Sequence, residues 1–520
     1  MRVIISVCLH GLLLVGAITA SRETGSELFE EVQSILTQKD ARHSDQVRAK
    51  EMLEEVLQNQ SDHTEALYAM GEIYQLGKGV DQDLEQSFEF FLQAAQLGHP
   101  PSQEEVGLLY SAGLGTKVDT PRALLYLYFA SAANQTRAQL ALGYRHMYGF
   151  SVPKSCQAAV MYYSQAAQDV ISSARGHGNH PSIEKIRLSI DHDSNYNPGR
   201  EQDMVQYYQY SADMGNTDAQ TAIGQLFNFG ARGMEQDYEQ ALHYFMQASQ
   251  AGDGDAAAHL GHMYANGLGV EADNATALEY FRKGAEKGHP HAMYGLGYMY
   301  LTGSGLEKNL KKAHQYFSQA ATDGSPDAQF HLGVMALQGM LSAPDYGKAF
   351  HHFNTASHQG HLLAIYNLAM MQLGGVGVPV SCKNALQLMK SVSERGPWSQ
   401  LIEEAHSNYL SGNAAVATTL YLKAAEMGLE LGQSNGAWLL DRRARRGRGK
   451  VVAVTWCLQE DGEEKWHKRA LHYHELAADQ GNTNSLLQIG DAHYYGKGTP
   501  EDIPKSVAIY RQRRTVFFPR

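Results

Sequence analysis

The sequence predicts an all-α fold, a solenoid of stacked helix–turn–helix units wound into a right-handed superhelix. Three observations carry this expectation. A glycine recurs at Gly71, Gly107, Gly143, Gly224, Gly261, Gly297 and Gly333, at spacings of 36, 36, 81, 37, 36 and 36 residues, and Ala369 continues the series. A second ladder runs through Gly215, Gly252, Gly288, Gly324, Gly360 and Gly396 with spacings of 37 and then 36, and Gly98 and Asn134 hold the same place earlier. The composition of the 520-residue chain, 43% hydrophobic and 19% charged, is that of a packed protein and excludes wholesale disorder. Its 50 Gly against 14 Pro suit glycine-punctuated turns, not a proline-rich or collagen-like tract.

The elements follow in order. Arg2, the apolar run Val3–Ile18 and the small residues Ala17, Thr19, Ala20 and Ser21 make residues 1–20 a secretory signal peptide. An uncleaved N-terminal anchor is the alternative. No later stretch approaches the ~18–20 apolar residues of a membrane helix. An N-terminal segment covers 21–43, and Val47–Leu57 supplies an opening helix. Repeats then fill 44–168, 201–430 and 431–514, divided by a linker at 169–200, with a basic insert at 441–465 and a tail at 515–520.

The copy around Gly261 shows how one unit works. Ala257, Leu260, Gly261 and Tyr264 share a helical face. At Gly261 the missing side chain lets the neighbouring helix approach. Gly267-Leu268-Gly269-Val270 forms the turn, Asp273 caps the second helix, and Ala277, Leu278, Phe281 and Ala285 form its apolar stripe. Gly288 ends that helix in the left-handed conformation. Asp83, Asp119, Asp237 and Asn309 repeat the cap, and Phe91, Phe245, Phe317 and Phe353 repeat the aromatic. Eleven first helices are expected, near residues 71, 107, 143, 224, 261, 297, 333, 369, 405, 436 and 490. Each pair is expected to bury its faces against its neighbours alone, leaving a long concave surface.

Interruptions and composition narrow the function. The linker, rich in Ser, His, Asn and Gly, reads as an exposed loop with a short helix at Ile183–Ile190. The run Arg442–Lys450 reads as a solvated loop. With 43 Lys+Arg against 55 Asp+Glu the net charge is −12, so no nucleic-acid partner is expected. After the leader, Cys156, Cys382 and Cys457 remain, an odd number that implies one free or interchain thiol; buried structural thiols are the expected role. Asn59, Asn134 and Asn274 head N-x-Ser/Thr triplets and are candidate N-glycosylation sites. Tyr126, Tyr128, Tyr162, Tyr163, Tyr207, Tyr208 and Tyr210 are expected to line the core and the groove, a surface type that also binds proteins.

Candidate chemistry is sparse. Of 24 His, His99, His289 and His361 follow second-ladder glycines as turn residues, and His351, His352, His472 and His474 sit on second helices. No His/Cys/Asp group has metal-ligand spacing, and neither H-E-x-x-H nor G-x-S-x-G occurs. Gly71–Gly79 lacks the Ser or Thr of a phosphate loop. The expectation is no catalytic residue, no metal and no cofactor, hence no enzyme.

The pattern in Ala257–Gly288 and Ala292–Gly324, A-x-x-L-G-x-x-Y-x-x-G-x-G with D-x-x-x-A-x-x-Y-F after the turn, resembles the Sel-1-like repeat, a relative of the tetratricopeptide repeat with a longer unit. The resemblance covers about residues 44–510. With the leader, Asn197-Pro198-Gly199 and the stretch Gly360–Ala369, it looks most like the eukaryotic Sel-1 homologues, and among them the shorter kind. It implies a non-catalytic adaptor of endoplasmic-reticulum-associated degradation, linking misfolded lumenal glycoprotein clients and recognition lectins to a membrane-embedded ubiquitin ligase. It also implies self-association through the middle repeats. The implied location is the endoplasmic-reticulum lumen, held at the membrane by partners; an anchored or secreted chain is the alternative. The rival reading is a solenoid binding module with unrelated secreted or cytosolic partners. Relatives usually carry further C-terminal repeats and a membrane span that this sequence does not show, which bears on ligase docking.

Overall fold

The computed structural model describes residues 28–36, 42–177, 186–191, 198–230, 234–446 and 463–517. Among them the regular structure is helical, without strands. In chain order come α1 (28–36), α2 (His43–Asn59), α3 (Thr64–Leu76), α4 (Leu84–Gln96), α5 (Pro100–Ala112), α6 (Thr120–Ala132), α7 (Thr136–Tyr148) and α8 (Cys156–His177). The short α9 (Leu188–Asp191) is followed by α10 (Pro198–Asp213), α11 (Thr217–Phe229), α12 (Tyr238–Gln250), α13 (Gly254–Asn266), α14 (Asn274–Glu286), α15 (Pro290–Thr302) and α16 (Leu310–Thr322). Then follow α17 (Pro326–Gln338), α18 (Tyr346–His358), α19 (Leu362–Gly374), α20 (Cys382–Ser393), α21 (Gln400–Leu410), α22 (Ala414–Glu426), α23 (Glu430–Arg446), α24 (Glu463–Asp479), α25 (Thr483–Tyr495) and α26 (Ile503–Phe517). Every expected first helix is present, and the fold is an all-α solenoid of helix–turn–helix repeats.

The glycine ladder has a steric cause. A Cβ on Gly261 would stand 2.6 Å from the Phe281 ring, and one on Gly71 2.6 Å from Phe91. At Gly224, Gly297 and Gly333 the distance to Phe245, Phe317 and Phe353 is 2.7 Å. The first helix thus gives up a side chain so that the aromatic of the second can sit against its backbone, fully buried in Phe91, Phe245, Phe317 and Phe353. Second helices start where expected, because Asp83, Asp237, Asp273 and Asn309 accept first-turn amides.

The chain divides into two compact units. The second, residues 171–180 and 191–392, is a regular array from α10 to the greater part of α20, each first helix packing on its own second helix and on the neighbouring hairpin. Its core is a series of local clusters, one per hairpin, such as Ala277, Phe281, Ala292, Leu296 and Met299.

The first unit comprises residues 1–170, 181–190 and 393–520. Helix α1 joins the opening core through Val32, beside Met52, Leu53 and Ile73. Here hairpins do not meet their neighbours alone. Helix α22 packs on α5, and Phe88, Val106, Leu109 and Tyr110 share one core with Leu422, Leu440, Trp466 and Tyr473. The reason is local composition. Helix α22 is buried nearly all round, with Val416, Ala417 and every residue from Thr419 to Ala425 out of solvent. A helix apolar on all sides needs neighbours on all sides.

Other expectations are corrected. Tyr163 is buried, but Tyr207 (68% exposed), Tyr208 and Tyr210 (62%) on α10 face solvent, as does Tyr128 on α6. The linker helix lies at Leu188–Asp191 rather than from Ile183, and residues 178–185 fall outside the described residues. The basic run begins not as a loop but as the end of α23, where Arg442 stacks 4.4 Å over the Trp438 ring; 447–462 lie outside the described residues. Cys156 and Cys382 are each disulfide-bonded instead of being buried thiols. The leader at 1–20 and Cys457 lie outside the described residues. Helix α26 continues to Phe517, into the stretch read as tail.

Candidate interaction faces of the first helices

In the first unit, the first helices α3, α5 and α7 each send a side chain to α22. The Lys423 ammonium donates to Gln75 Oε1 at 2.8 Å and lies 2.7 Å from Glu105 Oε2. Arg137 pairs with Glu104 at 2.6 Å and with Glu105 at 3.2 Å. Arg145 donates to Glu426 at 2.8 Å, and the Tyr473 hydroxyl donates to the other oxygen of that carboxylate. Lys423 is 3% exposed and Glu105 2%. Burial alone would raise the Glu105 carboxyl, yet Lys423 and Arg137 hold it below the usual range; for Glu104 burial wins and pushes it up. The turn after α22 lies against α7, for a Cβ on Gly428 would enter the Tyr144 ring. Beyond it, Arg187 pairs with Glu430 at 2.9 Å, and Asn435 bonds the backbone of Ile186 and Leu188, fixing the last part of the linker on α23. The carboxylate of Asp441 holds His467 (3.1 Å) and His474 (3.3 Å) of α24, which makes the expected start of the basic insert a packing anchor. The chain's own C-terminal helices therefore occupy this face of the N-terminal repeats.

The corresponding helices of the second unit carry a different set. Asp255 and His259 lie on α13, His291 and Tyr294 on α15, Asp327 and His331 on α17. His259 stacks on Phe245 at 4.7 Å and shares a hydrogen bond with Gln225. His289 lies 3.4 Å from Asp255, and His361 lies 3.2 Å from Asp327 while stacking on Phe330 at 4.6 Å. His331 is ringed by Tyr294, Tyr298, Phe317 and Phe330, at 5.1–5.6 Å between centroids. Burial lowers the His259 pKa to about 4, against the opposing pull of Asp255, and lowers His289 and His331. Of these histidines the sequence singled out His289 and His361, as turn residues. What escaped the sequence is that residues two and six positions before successive ladder glycines converge.

Among the described residues no group of three or more His, Cys, Asp or Glu could hold a metal ion. The candidate glycosylation residues are all exposed: Asn59 ends α2, Asn134 adopts a left-handed φ of 60° before α7, and Asn274 is the first residue of α14. Asn134 and Asn274 fall in separate repeats, and Asn59 precedes the first. The Thr276 hydroxyl of the Asn274 triplet bonds Asp273, and the Thr136 hydroxyl bonds Asp169. No described helix is long and apolar enough to cross a membrane.

The geometry defines a class first: an array of helical hairpins whose first-helix faces, in the first unit, are covered by later helices of the same chain. The family follows from the match to the Sel1 repeat at residues 64–99, 100–135, 136–169, 217–253, 254–289, 290–325, 326–361, 362–397, 458–482 and 483–512, and the chain belongs to the Sel1 repeat family. It is 45% identical over 449 residues to protein sel-1 homolog 2 of Homo sapiens, covering 86% of this chain and 63% of that protein. Over 441 residues it is 43% identical to the ERAD-associated E3 ubiquitin-protein ligase component HRD3A of Arabidopsis thaliana, covering 83% and 63%. A solved structure from uropathogenic Escherichia coli, c5321, described as a protective antigen with an SLR fold, aligns over 90% of this chain and 87% of its own at 24% identity and a TM-score of 0.29. The chain spans 63% of the length of the two curated relatives.

Proposed function

We propose that the chain is a non-catalytic adaptor in endoplasmic-reticulum-associated degradation, joining misfolded lumenal glycoprotein clients and recognition lectins to a membrane-embedded ubiquitin ligase. The observation that carries the reading is 43% identity, over most of this chain, to a plant protein described as an ERAD-associated E3 ubiquitin-protein ligase component. Two features of the molecule fit the lumenal side. Cys156 and Cys382 are disulfide-bonded, as in an oxidising compartment, and Asn59, Asn134 and Asn274 are all accessible to a glycosyltransferase. The surfaces on offer are packed helix faces lined by aromatic and polar side chains, suited to holding proteins together.

The test is affinity capture of the tagged full chain from detergent-solubilised microsomes, with mass spectrometry, and endoglycosidase H treatment of the captured chain. The expected result is a membrane ubiquitin ligase and lumenal lectins in the eluate, with a mobility shift of the chain. A cytosolic, unglycosylated chain whose partners include no degradation component would overturn the proposal and favour a binding module of another pathway.

A further inference from the structure

The two units use the same repeat positions, and one of them shows what such a face holds. Two positions before the ladder glycine stands Glu105 in α5, His259 in α13 and His331 in α17. Six positions before it stands Arg137 in α7, Asp255 in α13, His291 in α15 and Asp327 in α17. In the first unit Glu105 grips a helix, α22, through one cation, Lys423, which Gln75 of α3 also holds, and Arg137 backs the Glu105 carboxylate. Among the described residues of the second unit, no helix lies across α13, α15 and α17 as α22 lies across α5.

Charge tells what would fit there. Helices α13, α15 and α17 contain no Lys or Arg, and their acidic residues are Asp255 and Asp327. Their imidazoles add no charge at neutral pH where burial lowers them, as at His259 and His331. The face is therefore anionic, rimmed by the exposed His262, His291 and Tyr298, with Tyr294 and Phe330 beneath. We propose that the face formed by α13, α15 and α17 is a docking site for an amphipathic helix of a partner protein that carries a lysine or arginine at its centre. The aromatic side chains take the apolar flank of that helix, and Asp255 and Asp327 take its cation, as Glu105 takes Lys423 in the first unit. The site goes beyond the adaptor reading and is tested apart from it, since no degradation component enters the experiment.

The probe is a fluorescent, side-chain-stapled 13-residue peptide with the sequence of Ala414–Glu426, and a second with Met at the position of Lys423. Binding to the purified full chain is followed by fluorescence anisotropy, and a photo-crosslinker on the peptide maps the contact by mass spectrometry. The lysine peptide is expected to bind at least fivefold more tightly than the methionine peptide and to crosslink to α13–α17. Combined Asp255→Asn and Asp327→Asn should abolish that preference, and Tyr298→Ala, at an exposed position, should weaken both peptides severalfold while the circular dichroism spectrum stays that of the parent. Equal affinity for the two peptides, a preference that survives the Asp→Asn changes, or crosslinks confined to the first unit would overturn the proposal.

Discussion

Replacing Lys423 by methionine tests how the first unit is held together. The substitution keeps the length of the side chain and removes its charge. Glu105, 2% exposed, would then keep only Arg137 at 3.2 Å and its contact with Gln75. Breaking a buried pair from one side costs about 3–5 kcal/mol, because the surviving charge stays out of water. Arg137 compensates in part, so the lower end, about 3 kcal/mol, is expected for Lys423→Met. Glu105→Gln should cost about as much, since it strands the ammonium. In the double variant neither charge remains, and stability should return to within about 1 kcal/mol of the parent. Across the cycle the coupling should exceed about 2 kcal/mol. Urea unfolding followed by circular dichroism reads the difference, at ~2–4 °C per kcal/mol if the melting temperature is used instead. Two single losses that simply add, with coupling below about 0.5 kcal/mol, would refute the claim that this pair is a buried ionic clasp.

Two further outcomes are expected. Gly261→Ala should destabilise the second unit by about 1–3 kcal/mol, since its Cβ would stand 2.6 Å from the Phe281 ring, and Phe281→Leu in the same chain should recover part of that loss; an unchanged melting temperature would contradict the ladder's steric cause. For pH, His259 has a folded pKa of about 4 against about 6.5 unfolded, so the unfolded chain takes up its proton first as pH falls. Its contribution is complete above about pH 6.5, diminishes towards pH 4, and by pH 5 amounts to a loss of about 2 kcal/mol. Thermal melts of the parent and of His259→Gln should therefore converge on acidification from pH 7 to 5, and parallel curves would contradict the assignment.

The repeat was legible because a steric rule writes itself into the sequence once per unit. Gly261 and Phe281 are visible as spacing, and the structure shows them touching. What stayed hidden depends on contacts between distant segments. Nothing near Glu105 announces Lys423, some 318 residues away. The signal available was the all-round apolar character of α22 with a single lysine inside it, which marks a helix enclosed on every side. Which of the four cysteines are disulfide-bonded could not be assigned from spacing, because bonding depends on positions in space. The α10 tyrosines read as core or groove lining, yet Tyr207 and Tyr210 point to solvent, because α10 turns Val205 and Ala212 rather than its tyrosines towards α11 and α12. The His/Asp face of α13, α15 and α17 was present as periodic residues, but its convergence needed the repeats stacked.

The proposed role is delivery of misfolded lumenal glycoproteins for ubiquitination. The most direct measurement is the half-life of a misfolded lumenal glycoprotein in cells depleted of the chain and again after the full chain is restored. Depletion should lengthen that half-life severalfold, with restoration returning it to the starting value; a half-life indifferent to both would contradict the account.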